Sequence, residues 1–347
     1  MQPGRLDRFA FAARNTMRAA WYTAHYAAGR AVAGSTARPD EPRFARRRQL
    51  PSFPRMLAEM QRLYDQDWAN IAAGLYPAPA QTTGPRDWLR QSLLYFRDVR
   101  HVARRRREHG HSEVLNEERR RAYPRYYLQN FHYQTGGWFE AESAARYDFQ
   151  VEALFGGAAD AMRRQALPAI GRAIAGRNQR DVRLLDVAAG TGRFLAQVKD
   201  AFPRLAVTAL DLSPAYTARA RHTLAHWRGT AVLQAPAEAM PLADGSQHIV
   251  SCIYLFHELP PKVRVAVAAE IARVLAQGGT FIFVDSIQKG DVADFDPLLD
   301  LFPVAVHEPY YGSYATTDVA ALFGAAGLTL RETIPAYLSK VMVFAKE

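Results

Sequence analysis

From Val182 to the C-terminus, short runs of apolar residues alternate with longer segments in which apolar residues recur every three or four positions. This alternation predicts strands joined by helices, and hence a Rossmann-like α/β fold with a doubly wound, mainly parallel sheet and right-handed crossovers. We predict seven strands, over residues 183–187, 206–211, 231–234, 248–254, 279–285, 328–334 and 340–345.

The first 125 residues have a helical pattern instead. Residues 1–33 place Leu6, Phe9, Met17 and Trp21 among arginines, a basic amphipathic pattern that fits contact with lipid as well as packing on protein. We therefore predict a helical N-terminal region, which serves as a cap or as a membrane or partner contact, followed by an α/β domain. The predicted ranges are 1–125 for the region and 126–347 for the domain. A proline-rich linker is predicted over 34–54. Helices are predicted over 55–71, from residue 85 into an arginine tract, through 147–155 and over 159–176.

The formal net charge of +10 adds little to this picture. Arginine dominates the basic residues and alanine is abundant, as a GC-rich genome produces, and no aromatic and basic interleave of a nucleic-acid module is present. Nucleic acid is therefore not the predicted partner. The arginine runs at 46–48, 104–107 and 119–121 all lie in the first part of the chain, which leaves a membrane surface as the alternative anionic partner.

The apolar content is not arranged as a membrane span or as a secretory leader, so we expect a cytoplasmic protein, with peripheral membrane contact as the alternative. The single cysteine, Cys252, lies inside an apolar run. A lone cysteine allows neither a disulfide within the chain nor a thiolate metal cluster, and we predict no metal site.

Candidate chemistry begins where the first predicted strand ends, in the sequence DVAAGTGRF (186–194). Gly190 and Gly192 suit a tight turn into a helix and let a ligand approach the backbone amides. The second predicted strand ends at Asp211, in place to accept hydrogen bonds from two ribose hydroxyls. These features indicate an adenosine-containing cofactor. Leu195 occupies the position where a dinucleotide fingerprint requires a third small residue, which disfavours NAD.

Four motifs in this order make the chain from about residue 126 onward resemble the class I S-adenosylmethionine-dependent methyltransferases, in the broad group that includes the ubiquinone and menaquinone methyltransferases. DVAAGTGRF resembles the first motif of that family, ALDLSPAY the second, and AEAMPLADGSQHIVSCIYLFHELP the third and fourth. The closing segment AGLTLRETIPAYLSKVMVFAKE resembles the antiparallel hairpin that ends the fold. The resemblance implies S-adenosyl-L-methionine as cofactor and an antiparallel last strand.

The resemblance also implies roles for matching residues. The loop after the first strand would hold the methionine part of the cofactor, Asp211 the ribose, and the next two motifs the adenine and the sulfonium. Two departures are Ala188, in place of the commonest first glycine, and Pro236, where the family often has an aspartate that contacts adenine. The implied cofactor-binding residues are Asp186, Ala188, Gly190, Thr191, Gly192, Asp211, Leu212, Ala237, Glu238 and Tyr254.

Methyl transfer from a sulfonium depends mainly on alignment and exclusion of water, and only a hydroxyl or carbon acid acceptor also requires a base. His257 and His132 are the candidate catalytic bases. Tyrosine-rich segments at 126–138 and 307–314 are placed to cover the carboxyl edge of the sheet, where they line an acceptor pocket or pack the helices onto the sheet. The candidate substrate-binding residues are Tyr133, Trp138, Asp285, Tyr310 and Tyr311.

We therefore expect an enzyme that methylates a small acceptor, aromatic or lipid-like. Two other classes remain open from the sequence. One is a nicotinamide-dependent oxidoreductase, against which Leu195 counts, and the other is a non-catalytic, membrane-docked module that retains the cofactor fold.

Overall fold

The computed structural model describes residues 4–33, 50–79, 85–108, 110 and 112–347. Most of the predicted linker over 34–54, with the arginine run at 46–48, lies outside these residues. The helices are α1 Arg5–Ala33, α2 Phe53–Ala72, α3 Pro85–Glu108, α4 Glu117–Ala122, α5 Ala141–Leu154, α6 Ala159–Arg164, α7 Leu167–Ile174, α8 Arg193–Ala201, α9 Pro214–Leu224, α10 Pro261–Val274, α11 Asp296–Val306, α12 Tyr311–Tyr314 and α13 Val319–Ala325.

The strands are β1 Arg183–Val187, β2 Ala206–Asp211, β3 Thr230–Gln234, β4 Gln247–Ile253, β5 Leu275–Ser286, β6 Leu328–Ala336 and β7 Ser339–Lys346. They form one sheet in the order β3-β2-β1-β4-β5-β7-β6, in which β1 to β5 are parallel and β7 runs antiparallel to both neighbours. The predicted Rossmann-like fold and its antiparallel last strand are confirmed. The predicted strand ends are reproduced to within a residue, except that β5 begins earlier and β6 ends later.

One helix prediction is wrong. The segment 159–176 is not one helix but two, α6 and α7, which are separated at Gln165 and Ala166. Pro168 explains the break, because its nitrogen has no proton to donate to the carbonyl four residues earlier and its ring clashes with that carbonyl. The proline instead occupies the first turn of α7, where no donor is needed.

Alternate side chains of the central strands enter two hydrophobic cores, one on each face of the sheet. Leu184 belongs to a core that includes residues of α7 and α8, whereas Leu185 belongs to a core with residues of α10 and α13. Phe11 of α1 and Leu63 of α2 are buried in the same core as Leu184. The first two helices are thus part of the packing on one face of the sheet.

Buried charges also tie the N-terminal helices to the rest of the chain. Asp67 of α2 accepts a hydrogen bond from Nε of Arg164 at 3.0 Å, and both side chains are buried. Arg18 of α1 lies 3.1 Å from Glu152 of α5. None of the helices in the described ranges is long and apolar enough to cross a membrane. The division of the chain at residue 125 stays a prediction.

Candidate active site

The loop after β1 carries three residues with left-handed backbone, Ala188 (φ 58°), Gly190 (φ 55°) and Gly192 (φ 76°). A Cβ atom added to Gly192 would lie 3.3 Å from Ala220 of α9, so this glycine permits the loop to pack against a helix. The nearest atom to a Cβ added at Gly190 is 3.9 Å away, on Tyr216, so this glycine leaves room at the carboxyl edge of the sheet.

Asp211 fixes that loop to the end of β2. Its Oδ2 accepts a hydrogen bond from the amide of Gly190 at 2.8 Å, and its Oδ1 accepts one from the amide of Ser213 at 2.8 Å. Each carboxylate oxygen retains capacity for another donor, because two backbone bonds use only part of its lone pairs. The side chain is half-buried and borders a pocket.

That pocket, here called the main pocket, lies over the carboxyl ends of β1, β2 and β4. Aromatic side chains from the segment 126–138 and from α5 form one wall, and small and apolar residues that follow the strands form the other. Of the candidate site residues, the main pocket includes Trp138, Ala188, Gly190, Asp211, Leu212, Ala237 and Tyr254. Glu238 lies beside Ala237, where its Oε1 accepts a hydrogen bond from the hydroxyl of Tyr126 at 2.8 Å.

A small cleft adjoins the main pocket and shares Tyr147, Ala188, Gly190, Ile253 and Tyr254 with it. It also contains charges of both signs. Its positively charged residues are Arg163 and Arg193, and its acidic residues are Asp148 and Asp186. The hydroxyl of Thr191 donates to Asp148 at 2.8 Å. The cleft can therefore bind a group that has both an ammonium and a carboxylate.

Asp186 is the most strongly perturbed acid of the small cleft. Burial raises its pKa to about 7, against the effect of a hydrogen bond that Ser251 donates at 2.6 Å and with the help of nearby Asp211. The carboxyl group is 2% exposed and sits at the end of β1. We therefore expect the carboxyl group of Asp186 to change its protonation state near neutral pH.

His257 and Asp285 lie below the pockets rather than on their walls. His257 Nδ1 lies 2.6 Å from Asp285 Oδ1, and Asp285 Oδ2 accepts a hydrogen bond from the amide of Phe256 at 2.9 Å. Burial lowers the pKa of His257, but the charge of Asp285 and its hydrogen bond outweigh burial and raise the pKa to about 10. An imidazolium has no free lone pair, so this geometry does not favour His257 as a base at neutral pH.

The candidate substrate residues Tyr310 and Tyr311 pack against other aromatic side chains. Tyr311 is buried in a small core with Phe295, and its hydroxyl lies 2.6 Å from Ser286 Oγ. Tyr310 packs against the aromatic cluster that contains Trp138. Neither tyrosine lines the main pocket. These two tyrosines therefore serve as packing in the described structure.

His132 and Tyr133 line a different cavity, here called the apolar pocket. It lies between α1, α3 and α5, and Tyr147 lines both this cavity and the main pocket. Most of its walls are aliphatic or aromatic, and Tyr26 and Arg30 at its α1 side are exposed. Its lining residues include Tyr95, Val99, Val102, Ala103, Val151, Leu154 and Val306.

Comparisons with known proteins identify the domain that carries this geometry. Residues 184–279 match the family described as "Methyltransferase domain". The chain is 32% identical over 148 residues to a malonyl-[acyl-carrier protein] O-methyltransferase from Geobacter sulfurreducens, which covers 42% of this chain and 55% of that protein. It is also 32% identical over 148 residues to a demethylmenaquinone methyltransferase from Thermus thermophilus, over 42% of this chain and 63% of the relative.

Residues 184–279 therefore form a methyltransferase domain, and the relatives and the fold support the class I, S-adenosylmethionine-dependent family. The chain spans just over half to two thirds of the length of the curated relatives that it matches. A solved structure of the pyocyanin biosynthetic protein PhzM is similar in fold, with a TM-score of 0.50 and 13% identity over 83% of this chain and 84% of that one. The match to a methyltransferase domain decides against the nicotinamide-dependent oxidoreductase that the sequence left open.

The residues of the methyltransferase domain fit S-adenosylmethionine. Asp211 has spare acceptor capacity for the ribose hydroxyls, and the mixed charges of the small cleft complement the ammonium and carboxylate of the methionine part. Gly190 leaves the space that a Cβ atom would fill. Glu238 Oε2 is buried and has no hydrogen-bond partner in the described part of the chain, which suits the amino group of adenine in place of an aspartate at Pro236.

Several residues of the site were missed from the sequence. Tyr147 and Asp148 come from α5, Arg163 from α6 and Arg193 from the first turn of α8. Tyr147, Asp148 and Arg163 are helix positions without a shared motif, and only the fold brings them together. Arg193 lies inside the quoted motif DVAAGTGRF but was not assigned a role from the sequence. Glu258 also lines the main pocket, and the quoted HELP sequence that contains it was the one available signal.

Proposed function

We propose that the protein transfers the methyl group of S-adenosylmethionine to a small acceptor with an aromatic or lipid-like body. The observation that carries this proposal is that the main pocket and the apolar pocket share the lining residue Tyr147. A cofactor held by Asp211 would present its methyl group toward an acceptor that enters from the apolar side. A methyltransferase relative named for a quinone supports an acceptor with a cyclic, largely apolar body.

The chemistry that bound S-adenosylmethionine supplies is an electrophilic methyl carbon with a neutral leaving group. The protein has to align the acceptor atom with that carbon and to exclude water. Trp138 and Tyr147 form an edge-to-face pair with ring centroids 5.7 Å apart at the wall of the main pocket. Such rigid aromatic surfaces position a flat or apolar acceptor with little loss of side-chain entropy.

The lining of the apolar pocket and its opening at the surface favour an extended acceptor. Val99 on α3 and Val151 on α5 lie on its walls, and the exposed Tyr26 and Arg30 show that it reaches the surface beside α1. An apolar tail in this pocket would be removed from water, which stabilises binding by about 0.8 kcal/mol for each buried methylene group. The polar end of the acceptor would then lie near Tyr147 and the cofactor.

The experiment is to incubate the purified protein with cell extract and S-adenosylmethionine that carries an isotopically labelled methyl group, and to identify labelled products by mass spectrometry. A labelled small molecule with an apolar body supports the proposal. Asp211→Ala, checked by circular dichroism to be folded, is the control, since it loses the ribose acceptor. Labelling that is confined to water-soluble products without an apolar part, or that persists with Asp211→Ala, contradicts it.

Peripheral contact with a membrane is the second part of the proposal. Leu6, Phe9 and Met17 on α1 are 85%, 74% and 62% exposed, and arginines accompany them on the same helix. Exposed apolar side chains beside basic ones suit the interface of an anionic bilayer. We expect the protein to float with vesicles that contain phosphatidylserine, and Leu6→Ser with Phe9→Ser to abolish this. Equal flotation of the parent and the double variant would contradict membrane docking through α1.

A further inference from the structure

Three polar side chains from separate segments converge between the main pocket and the apolar pocket. His132 lies in the short turn 131–133, Glu258 follows β4, and Glu308 follows α11. His132 Nε2 is 2.8 Å from Glu308 Oε1 and 3.9 Å from Glu258 Oε1. One ligand atom from each of the three lies within 4.8 Å of the others.

The two glutamates have too little positive charge around them. No arginine or lysine forms an ion pair with either carboxylate in the described part of the chain, and the nearby His257 is already paired with Asp285 at 2.6 Å. Glu308 is fully buried, and apart from the close contact between its Oε1 and His132 Nε2, neither of its oxygens has a hydrogen-bond donor in the described part of the chain. A buried carboxylate with one imidazole as its only charge partner is costly, and a second carboxylate beside it adds repulsion.

We propose that His132, Glu258 and Glu308 bind one divalent first-row metal ion. A metal ion bonded to each atom at about 2.1 Å holds its ligand atoms no more than about 4.2 Å apart. The spacing found in the cluster reaches that range after small side-chain rotations. One imidazole with two carboxylates suits manganese, iron or zinc better than magnesium, which prefers oxygen ligands alone.

The position of this metal site fits a role in activating the acceptor. Glu258 lines the main pocket and His132 lines the apolar pocket, so an ion bound to both would lie between these two pockets. An acceptor hydroxyl bound there would lose its proton to water more readily, because the ion stabilises the alkoxide or phenolate that forms. The oxygen would then attack the methyl carbon while the bond from that carbon to sulfur breaks. Metal binding itself does not depend on the proposed function.

The test uses the full chain, stripped of metal with a chelator and titrated with Mn²⁺ while free Mn²⁺ is followed by electron paramagnetic resonance. We expect one tightly bound Mn²⁺ for each chain, displaced by Zn²⁺. Glu308→Gln keeps the shape of the side chain but removes a ligand charge, and should weaken binding at least about tenfold. Glu118→Gln is the matched control, because Glu118 is exposed and distant from the cluster in sequence.

Thermal unfolding without metal separates loss of the site from loss of the fold. Glu308→Gln should be at least as stable as the metal-free parent, since it relieves a buried charge, and only the parent and Glu118→Gln should be stabilised by Mn²⁺. The proposal is overturned if the parent binds neither Mn²⁺ nor Zn²⁺, or if folded Glu308→Gln binds Mn²⁺ as tightly as the parent. A metal-binding protein that methylates nothing would contradict the proposed function alone.

Discussion

His257 Nδ1 lies 2.6 Å from Asp285 Oδ1, and through this contact the turn after β4 is fixed to the end of β5. The other oxygen of Asp285 accepts hydrogen bonds from the amides of Phe256 and His257, at 2.9 and 3.3 Å. The aspartate is fully buried and the histidine nearly so. One carboxylate thus positions both the backbone and the side chain of the turn that carries Glu258.

Replacement of Asp285 tests this positioning role. Asp285→Asn leaves the buried imidazole without its counter-charge, and the loss of one partner of a buried pair costs about 3 kcal/mol in the free energy of unfolding. Urea denaturation followed by circular dichroism measures the effect. Asp318→Asn is the control, because Asp318 caps α13 and asparagine caps a helix equally well. Equal stability of Asp285→Asn and the parent would remove the positioning role.

Asp211 should control the affinity for S-adenosylmethionine. Two backbone amides already bind its carboxylate, and the ribose hydroxyls would take its remaining lone pairs. Loss of hydrogen bonds to a charged group costs about 1.5–3 kcal/mol, so Asp211→Ala is expected to weaken binding about tenfold to a hundredfold. Isothermal calorimetry measures the dissociation constant. Asp181→Ala, at an exposed position, should bind like the parent, and unchanged affinity in Asp211→Ala would refute the assignment.

The two glycines of the loop should respond differently to substitution. A Cβ atom at Gly192 would meet Ala220 at 3.3 Å, in addition to the cost of about 1–2 kcal/mol for a left-handed residue. Gly192→Ala should therefore lose more stability than Gly190→Ala. At Gly190 the added methyl group enters space reserved for the cofactor. Gly190→Ala should therefore reduce the free energy of binding S-adenosylmethionine by more than it reduces the free energy of unfolding. Melting temperature and calorimetry distinguish the two, and the reverse pattern would contradict these roles.

Asp186 should make the stability of the protein depend on pH. Burial raises its pKa to about 7 in the folded protein, so the folded state keeps a proton that the unfolded chain releases near pH 4. The contribution of Asp186 to stability is then lost as pH rises from about 4 to about 7, by at most about 1.4 kcal/mol per pH unit. Other carboxylates titrate in the same window, so the useful quantity is a difference between variants.

Asp186→Asn provides that difference, because its amide keeps the shape and the hydrogen bond from Ser251 but cannot titrate. We expect the free energy of unfolding of Asp186→Asn, relative to the parent, to increase as pH is raised across this window. Urea denaturation at several pH values measures it. Parallel profiles for the two proteins would show that Asp186 does not have a raised pKa.

The sequence predicted the sheet well because strands and glycine loops are specified locally. Asp186, Gly190 and Asp211 are adjacent to strand ends, so their placement follows from the strand assignment. The proximity of His132, Glu258 and Glu308 was not predicted, because the three residues come from segments without a common spacing. The prediction of one helix over 159–176 was wrong because Pro168 interrupts the helix despite the periodic apolar pattern.

The apolar pocket offers the most direct test of the acceptor class. Val99 lines it from α3 and is half-buried, so Val99→Trp places an indole ring in the cavity without removing a contact to the cofactor residues. Anilinonaphthalene sulfonate, an aromatic probe that becomes fluorescent in apolar surroundings, should bind the parent. We expect Val99→Trp to weaken probe binding at least about tenfold, since close-packed walls cannot yield enough space for both rings.

Val265→Trp is the matched control, because Val265 is exposed on α10 and the substitution is chemically identical. Both variants should retain the parent's affinity for S-adenosylmethionine, since neither residue lies on the main pocket. Loss of probe binding in both variants would mean that the probe reports an exposed surface. Retention in both would mean that the apolar pocket does not accept aromatic ligands. Only selective loss in Val99→Trp places an apolar ligand between α1, α3 and α5, where the acceptor's tail would have to lie for its polar end to reach Tyr147.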